Sequence, residues 1–99
     1  MKKMNSLTSD KIIKTLAEHM GEIHGHGVRK IGLFGSFIKR TQGKKSDIDL
    51  LVEFNELTFD NYMELKFMLE SLFHRKVDLA VKENLKPALQ HIKKEVVYA

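Results

Sequence analysis

Ninety-nine residues, 42% apolar and without cysteine, make a single domain with one core and exclude disulfides and thiolate metal sites. The 17 basic and 13 acidic residues leave a net charge of +4, which suits phosphate-bearing ligands or an acidic partner. That excess is too small and too dispersed to mark a direct nucleic-acid binder, and no apolar run approaches the roughly 20 residues that cross a bilayer.

The basic start, Met1 to Asn5, leads into nothing resembling a signal peptide, and the lack of cysteine fits a reducing compartment, so a cytoplasmic protein is expected. A chain this short is marginal by surface-to-volume scaling, and a homo- or hetero-oligomer would be in keeping with that. Residues 1–8 read as a loose lead-in and 9–99 as the domain. Ser9 is placed to cap a helix whose Ile12, Ile13, Leu16, Ala17, Met20 and Ile23 follow helical spacing, ended by Gly25 and Gly27. Val28 to Phe34 reads as a strand broken by Gly35-Ser36, Phe37 to about Arg40 as a short helix, and Thr41 to Ser46 as loop. A strongly apolar strand follows at Ile48 to Phe54. Thr58 or Asp60 starts a helix with Phe59, Tyr62, Leu65, Leu69, Leu72 and Phe73 along one stripe. Val77 to Val81 is a third strand, and Pro87 suits the first turn of a last helix carrying Leu89, Ile92 and Val96. This order predicts a small α/β (α+β) domain, a sheet backed by helices on one face.

Chemistry concentrates around Gly35-Ser36, ten intervening residues, and Asp47-Ile48-Asp49. Asp47 and Asp49 are two apart, so on a strand they leave the same face. Two adjacent carboxylates repel, and a divalent cation removes that penalty. Oxygen-only donors favour a hard ion such as Mg²⁺, which fills the rest of its shell with water and substrate phosphates. A Gly-Ser turn can bring backbone N–H groups near those phosphates, with Ser36 offering its hydroxyl or its amide. Asp78 interrupts the apolar run from Val77 to Val81, where an unpaired charge is unfavourable. It would complete a centre in which two cations about 3.5–4 Å apart clamp the attacking and leaving oxygens of a displacement. The site then reads as one that transfers part of a nucleoside triphosphate. Lys39, Arg40, Lys44 and Lys45 lie between the turn and the aspartates, either as a solvated loop or as phosphate contacts.

Leu33-Phe34-Gly35-Ser36, Asp47-Ile48-Asp49-Leu50-Leu51-Val52 and Val77-Asp78-Leu79 resemble the minimal nucleotidyltransferases of the DNA polymerase beta superfamily, over about residues 10 to 99. The resemblance implies a mixed sheet of the nucleotidyltransferase fold, two Mg²⁺ ions, and transfer of a nucleoside monophosphate with release of pyrophosphate. Many such proteins are encoded beside a helical HEPN-type ribonuclease toxin, which they adenylylate on tyrosine with ATP, acting as its antitoxin. Carried onto this chain, the metal ligands and catalytic residues are Asp47, Asp49 and Asp78, and the nucleotide-binding turn is Gly35-Ser36. The acceptor would bind at an open face, since no residues remain for an acceptor domain. One departure from the pattern is visible: lysine stands at Lys39 where arginine is common, and the following glycine is displaced to Gly43. Lysine holds phosphate as a point charge without arginine's bidentate fork.

Weaker signals divide. His24 and His26 read as an exposed turn rather than a metal site. Tyr62, Met63, Phe67 and Met68 widen the middle helix's apolar stripe, as a generous core or as a partner-binding face. Tyr98 either packs on the domain or accepts a modification.

Overall fold

The computed structural model describes residues 7–39 and 47–99, so the expected loop over residues 41–46, with Arg40, Lys44 and Lys45, lies outside the described residues, as does most of the lead-in. Three strands form with the bounds read from sequence: β1 (Val28–Phe34), β2 (Ile48–Phe54) and β3 (Val77–Val81). The sheet is mixed, in the order β3-β2-β1 with a short further strand beyond β1. β1 runs antiparallel to β2, and β2 runs parallel to β3 across a helical connection. The fourth strand, β4 (Val97–Tyr98), was not expected.

Helix α1 (Ser9–Glu18) is capped by Thr8, not Ser9: the Thr8 hydroxyl accepts the N–H of Lys11 at 3.3 Å. The expected continuous helix through Ile23 divides at His19 into α1 and α2 (Met20–Gly25). There the His19 ring takes the Thr15 carbonyl at 2.9 Å, while its backbone N–H is shared between Thr15 and Leu16, so the helical ladder loosens just before Gly21. Ile12, Leu16 and Ile23 are fully buried, whereas Ala17 is exposed.

After α3 (Ser36–Lys39) and β2, helix α4 (Phe59–Phe73) is capped by the Thr58 hydroxyl on Asn61 N–H at 3.0 Å. It ends on His74, left-handed at φ 51°. Leu65 and Leu69 face the sheet, but Phe59, expected on the same stripe, is 78% exposed. Core-facing residues are separated from Phe59 by roughly 60–140° around a helix of 100° per residue, which leaves the ring on the far shoulder.

One core forms where α1, α2 and α4 cover a single sheet face: Ile31, Leu33, Ile48, Leu50, Val52, Val77 and Leu79 meet Ile12, Leu16, Ile23, Leu65 and Leu69 there. Burying each such side chain contributes about 1.5–3 kcal/mol. The last stretch is not the single helix expected from Pro87. It comprises 3₁₀ turns at Lys82–Asn84 and Pro87–Leu89, then α5 (Ile92–Glu95), after which Val96 leaves the helix. The β-branched pair Val96-Val97 and Tyr98 favours extended chain, and β4 pairs with β1 at Gly32 and Leu33. Gly32 is required there, because a Cβ would sit 3.0 Å from the Tyr98 ring and would crowd Val96. Ile92 and Leu51, both buried, lie outside the main cluster, so the terminal segment shelters part of the second sheet face.

Candidate active site

Alternation along β2 sends Ile48, Leu50 and Val52 into the core, which obliges Asp49, Leu51 and Glu53 to leave the opposite face. Asp47, one residue ahead of the strand, shares Asp49's side by the same period. On β3, Val77 and Leu79 are the inward residues, so Asp78 is the outward one. The parallel register sets Asp49 directly against Asp78, with Ile48 beside Val77. Asp47 and Asp49 are half-buried and Asp78 is exposed.

The third strand closes the site. Phe34 pairs with Asp49, so the chain turns at Gly35 immediately above that carboxylate. Gly35 has φ 81°, a region that favours glycine, and a Cβ there would collide with the Asp49 carboxylate. The Ser36 N–H donates to the same carboxylate. Of the two donors expected of Ser36, the amide is therefore committed to Asp49. The Gly35 carbonyl accepts the N–H groups of Ile38 at 3.1 Å and Lys39 at 3.0 Å, starting α3, and the buried Phe37 pins that turn to the core.

Burial raises the Asp49 pKa above its ordinary value, and the charges of Asp78 and then Asp47 raise it further; the Ser36 N–H works the other way. Asp49 thus feels both neighbouring carboxylates. The three are not drawn onto one point: among the described residues no group of three or more His, Cys, Asp or Glu is gathered tightly enough to hold a metal ion. Backbone register sets Asp47, Asp49 and Asp78 on one face, near enough for the other two to repel the Asp49 charge, without a closed ligand set. The donor set is carboxylate oxygen, which fits a hard cation such as Mg²⁺.

Other candidates settle elsewhere. Lys39 Nζ stands 3.8 Å from Glu95 of α5. The His24 ring meets the Val28 carbonyl at 2.8 Å within its own turn, and His26 lies 3.6 Å from Glu64 of α4, which ties that turn to the helix. Tyr98 lies on β4, its ring 5.4 Å from Lys30 Nζ. Sequence reading passed over Glu53, a further carboxylate on the aspartates' face that the same two-residue period would have flagged. Lys82 at 3.3 Å and Arg29 at 3.8 Å neutralise it, which sets it apart from the aspartates.

Comparison with known proteins agrees with this geometry. Residues 13–99 match the family described as nucleotidyltransferase domain. The chain is 38% identical over 98 residues to the protein adenylyltransferase MntA of Thermococcus cleftensis, covering 96% of this chain and 99% of that protein. Its fold superposes on a minimal nucleotidyltransferase of known structure with a TM-score of 0.80 at 26% identity, covering 95% of this chain and 98% of the other. It also superposes on a chain from a toxin–antitoxin structure solved with AMP-PNP, with a TM-score of 0.66 at 30% identity, covering 93% and 72%. A glycine-serine turn seated on an Asp-x-Asp strand, with a third aspartate in register beside it, places the chain in the nucleotidyltransferase family, as a homologue of MntA.

Proposed function

We propose that the chain transfers AMP from ATP to a hydroxyl, a tyrosine hydroxyl by preference, of a HEPN-type ribonuclease partner, and thereby acts as an antitoxin in the cytoplasm. The observation that carries this reading is the Asp49–Asp78 register beneath the Gly35-Ser36 turn. The homologous adenylyltransferase and the related toxin–antitoxin structure with AMP-PNP point to the same chemistry.

In this reading Asp47 and Asp49 would hold one Mg²⁺, and Asp49 and Asp78 a second. Bound there, the two ions would neutralise phosphate charge and lower the pKa of the attacking hydroxyl. The Ser36 hydroxyl holds a phosphate oxygen, since its amide is engaged by Asp49. Asp78, the most exposed of the three, faces the acceptor and takes the hydroxyl proton onto its carboxylate. The acceptor oxygen bonds to the α-phosphorus, the α–β anhydride bond breaks, and pyrophosphate leaves with the electron pair.

Incubating the protein with ATP, Mg²⁺ and a HEPN-type protein, sought first in the neighbouring gene, should add the mass of AMP to that partner. Asp47→Asn should abolish both the adduct and neutralisation while complex formation persists. Full neutralisation by Asp47→Asn would instead mark a binding module that silences its partner by covering it.

A further inference from the structure

Helix α4 carries an apolar ridge turned away from the core. Phe59, Met63 and Phe67 recur every four residues, with Phe59 78% and Phe67 59% exposed. The ridge spans about 12 Å at 1.5 Å per residue. Beside it runs an open groove of about 590 Å³ lined by Met63, Lys66, Phe67, Glu70, Arg75 and Lys76. Resting on the proposed transfer to a protein partner, we infer that this ridge and groove dock an acidic amphipathic helix of that partner, whose acceptor hydroxyl then comes to Asp78 round the β3 edge.

Three observations select that occupant. The first is the state of the adjacent sheet edge. On β3 the outward Val77 N–H donates to Glu70 at 3.0 Å, and the outward Leu79 carbonyl accepts the Tyr62 hydroxyl at 3.3 Å. Side chains of α4 thus already take up backbone groups that an added strand would need, and β-augmentation is blocked at this edge. A helix laid along α4 needs none of those groups, and ridges spaced by four residues are what a second helix packs against.

The second is charge. The groove holds Lys66, Arg75 and Lys76 against the single carboxylate Glu70, which is turned to Val77 N–H. An acidic flank on the incoming helix complements that rim. The third is position: Lys76 precedes Asp78 by two residues on the same chain segment, about 7 Å at strand rise. Asp78 leaves the sheet face opposite α4, so a partner seated in the groove reaches that carboxylate by passing round the β3 edge, where Lys76 stands.

The test uses the full chain, the HEPN-type protein, Mg²⁺ and radiolabelled ATP. The Phe59→Ser/Phe67→Ser double variant and, separately, Lys66→Glu change exposed or rim side chains, so folding should persist; the thermal shift given by AMP-PNP with Mg²⁺ checks that. The expected result is a rise of at least about tenfold in KM for the partner in each variant, with the AMP-PNP shift unchanged. Calorimetric titration of the partner reads docking apart from chemistry, and the same loss of affinity is expected there. If the wild type binds the partner and transfers no AMP while the variants lose binding, docking stands and the transfer reading falls. Unchanged partner affinity in both variants overturns the docking surface. So does wild-type self-association abolished by Phe59→Ser/Phe67→Ser, because the occupant would then be a second copy.

Discussion

Gly35 on the turn after β1 lies so closely against the Asp49 carboxylate of β2 that a Cβ at position 35 would overlap it. The backbone at φ 81° and the packing both call for a residue without a Cβ. Gly35→Ala should therefore lose about 1–3 kcal/mol of stability from backbone strain alone. Displacing the Ser36 amide from Asp49 should also cut nucleotide transfer by about 100-fold, the scale set by an ångström of misplacement. Melting temperature and single-turnover transfer on the same preparation separate the two effects.

Asp49 is held in the folded chain with its pKa raised above 3.8, chiefly by burial, then by Asp78 and Asp47. The folded state consequently binds more protons than the unfolded one between the ordinary carboxylate range and the raised value. Stability falls as pH rises through that window, and the cost is complete above it. In EDTA at neutral pH, Asp49→Asn should melt higher than wild type. The difference should fade as the pH is lowered toward 3.8, the ordinary value. A variant that melts lower at neutral pH would contradict the assignment.

Removing the cation should act on the same charges. Mg²⁺ with AMP-PNP at 100 times its dissociation constant should stabilise the wild type by about 2.7 kcal/mol, as for any ligand bound only by the folded state. EDTA should reverse this, and Asp47→Asn should weaken the response. Differential scanning fluorimetry across a Mg²⁺ series reads all three.

Asp78→Asn should split the kinetics. In the proposed assignment Asp47 and Asp49 serve the nucleotide, while Asp78 serves the acceptor. The Asp78 variant should lower kcat by about 100-fold or more through loss of the proton acceptor, with ATP affinity retained to within a few-fold. Equal loss of ATP affinity would place Asp78 among the nucleotide's ligands.

Glu70→Ala should expose the Val77 N–H on the edge of the sheet. Leaving that partly buried donor unpaired should cost about 1–3 kcal/mol. It should also open β3 to pairing with other chains, visible as faster hydrogen exchange at Val77 and as concentration-dependent aggregation.

Much of this protein was legible before any coordinates because its central strands leave their alternatives no room. Ile48, Leu50 and Val52 can reach a core only from a strand, and the two-residue period then commits Asp47 and Asp49 to the other face. Gly35 announced the turn because few other residues tolerate it. Where local signals were balanced, reading failed: Thr8 and Ser9 are both good caps, and only the geometry of Lys11 N–H chose Thr8. The terminal residues look helical by spacing, yet Val97 and Tyr98 became a strand, because an edge of β1 was available to pair with them.

The chain by itself determined which side chains could carry charge, where the glycine bend must fall, and that two acids share a strand face; these follow from covalent period and backbone sterics. Only the folded arrangement decided that β3 lies parallel to β2 in the register that opposes Asp49 to Asp78, that the Ser36 amide is engaged by Asp49, and that Phe59 and Phe67 remain in solvent. Such pairings join residues 13 to 29 positions apart in the chain, or depend on which shoulder of a helix meets the sheet. Local preference is indifferent to them, and the packing of the whole core settles them.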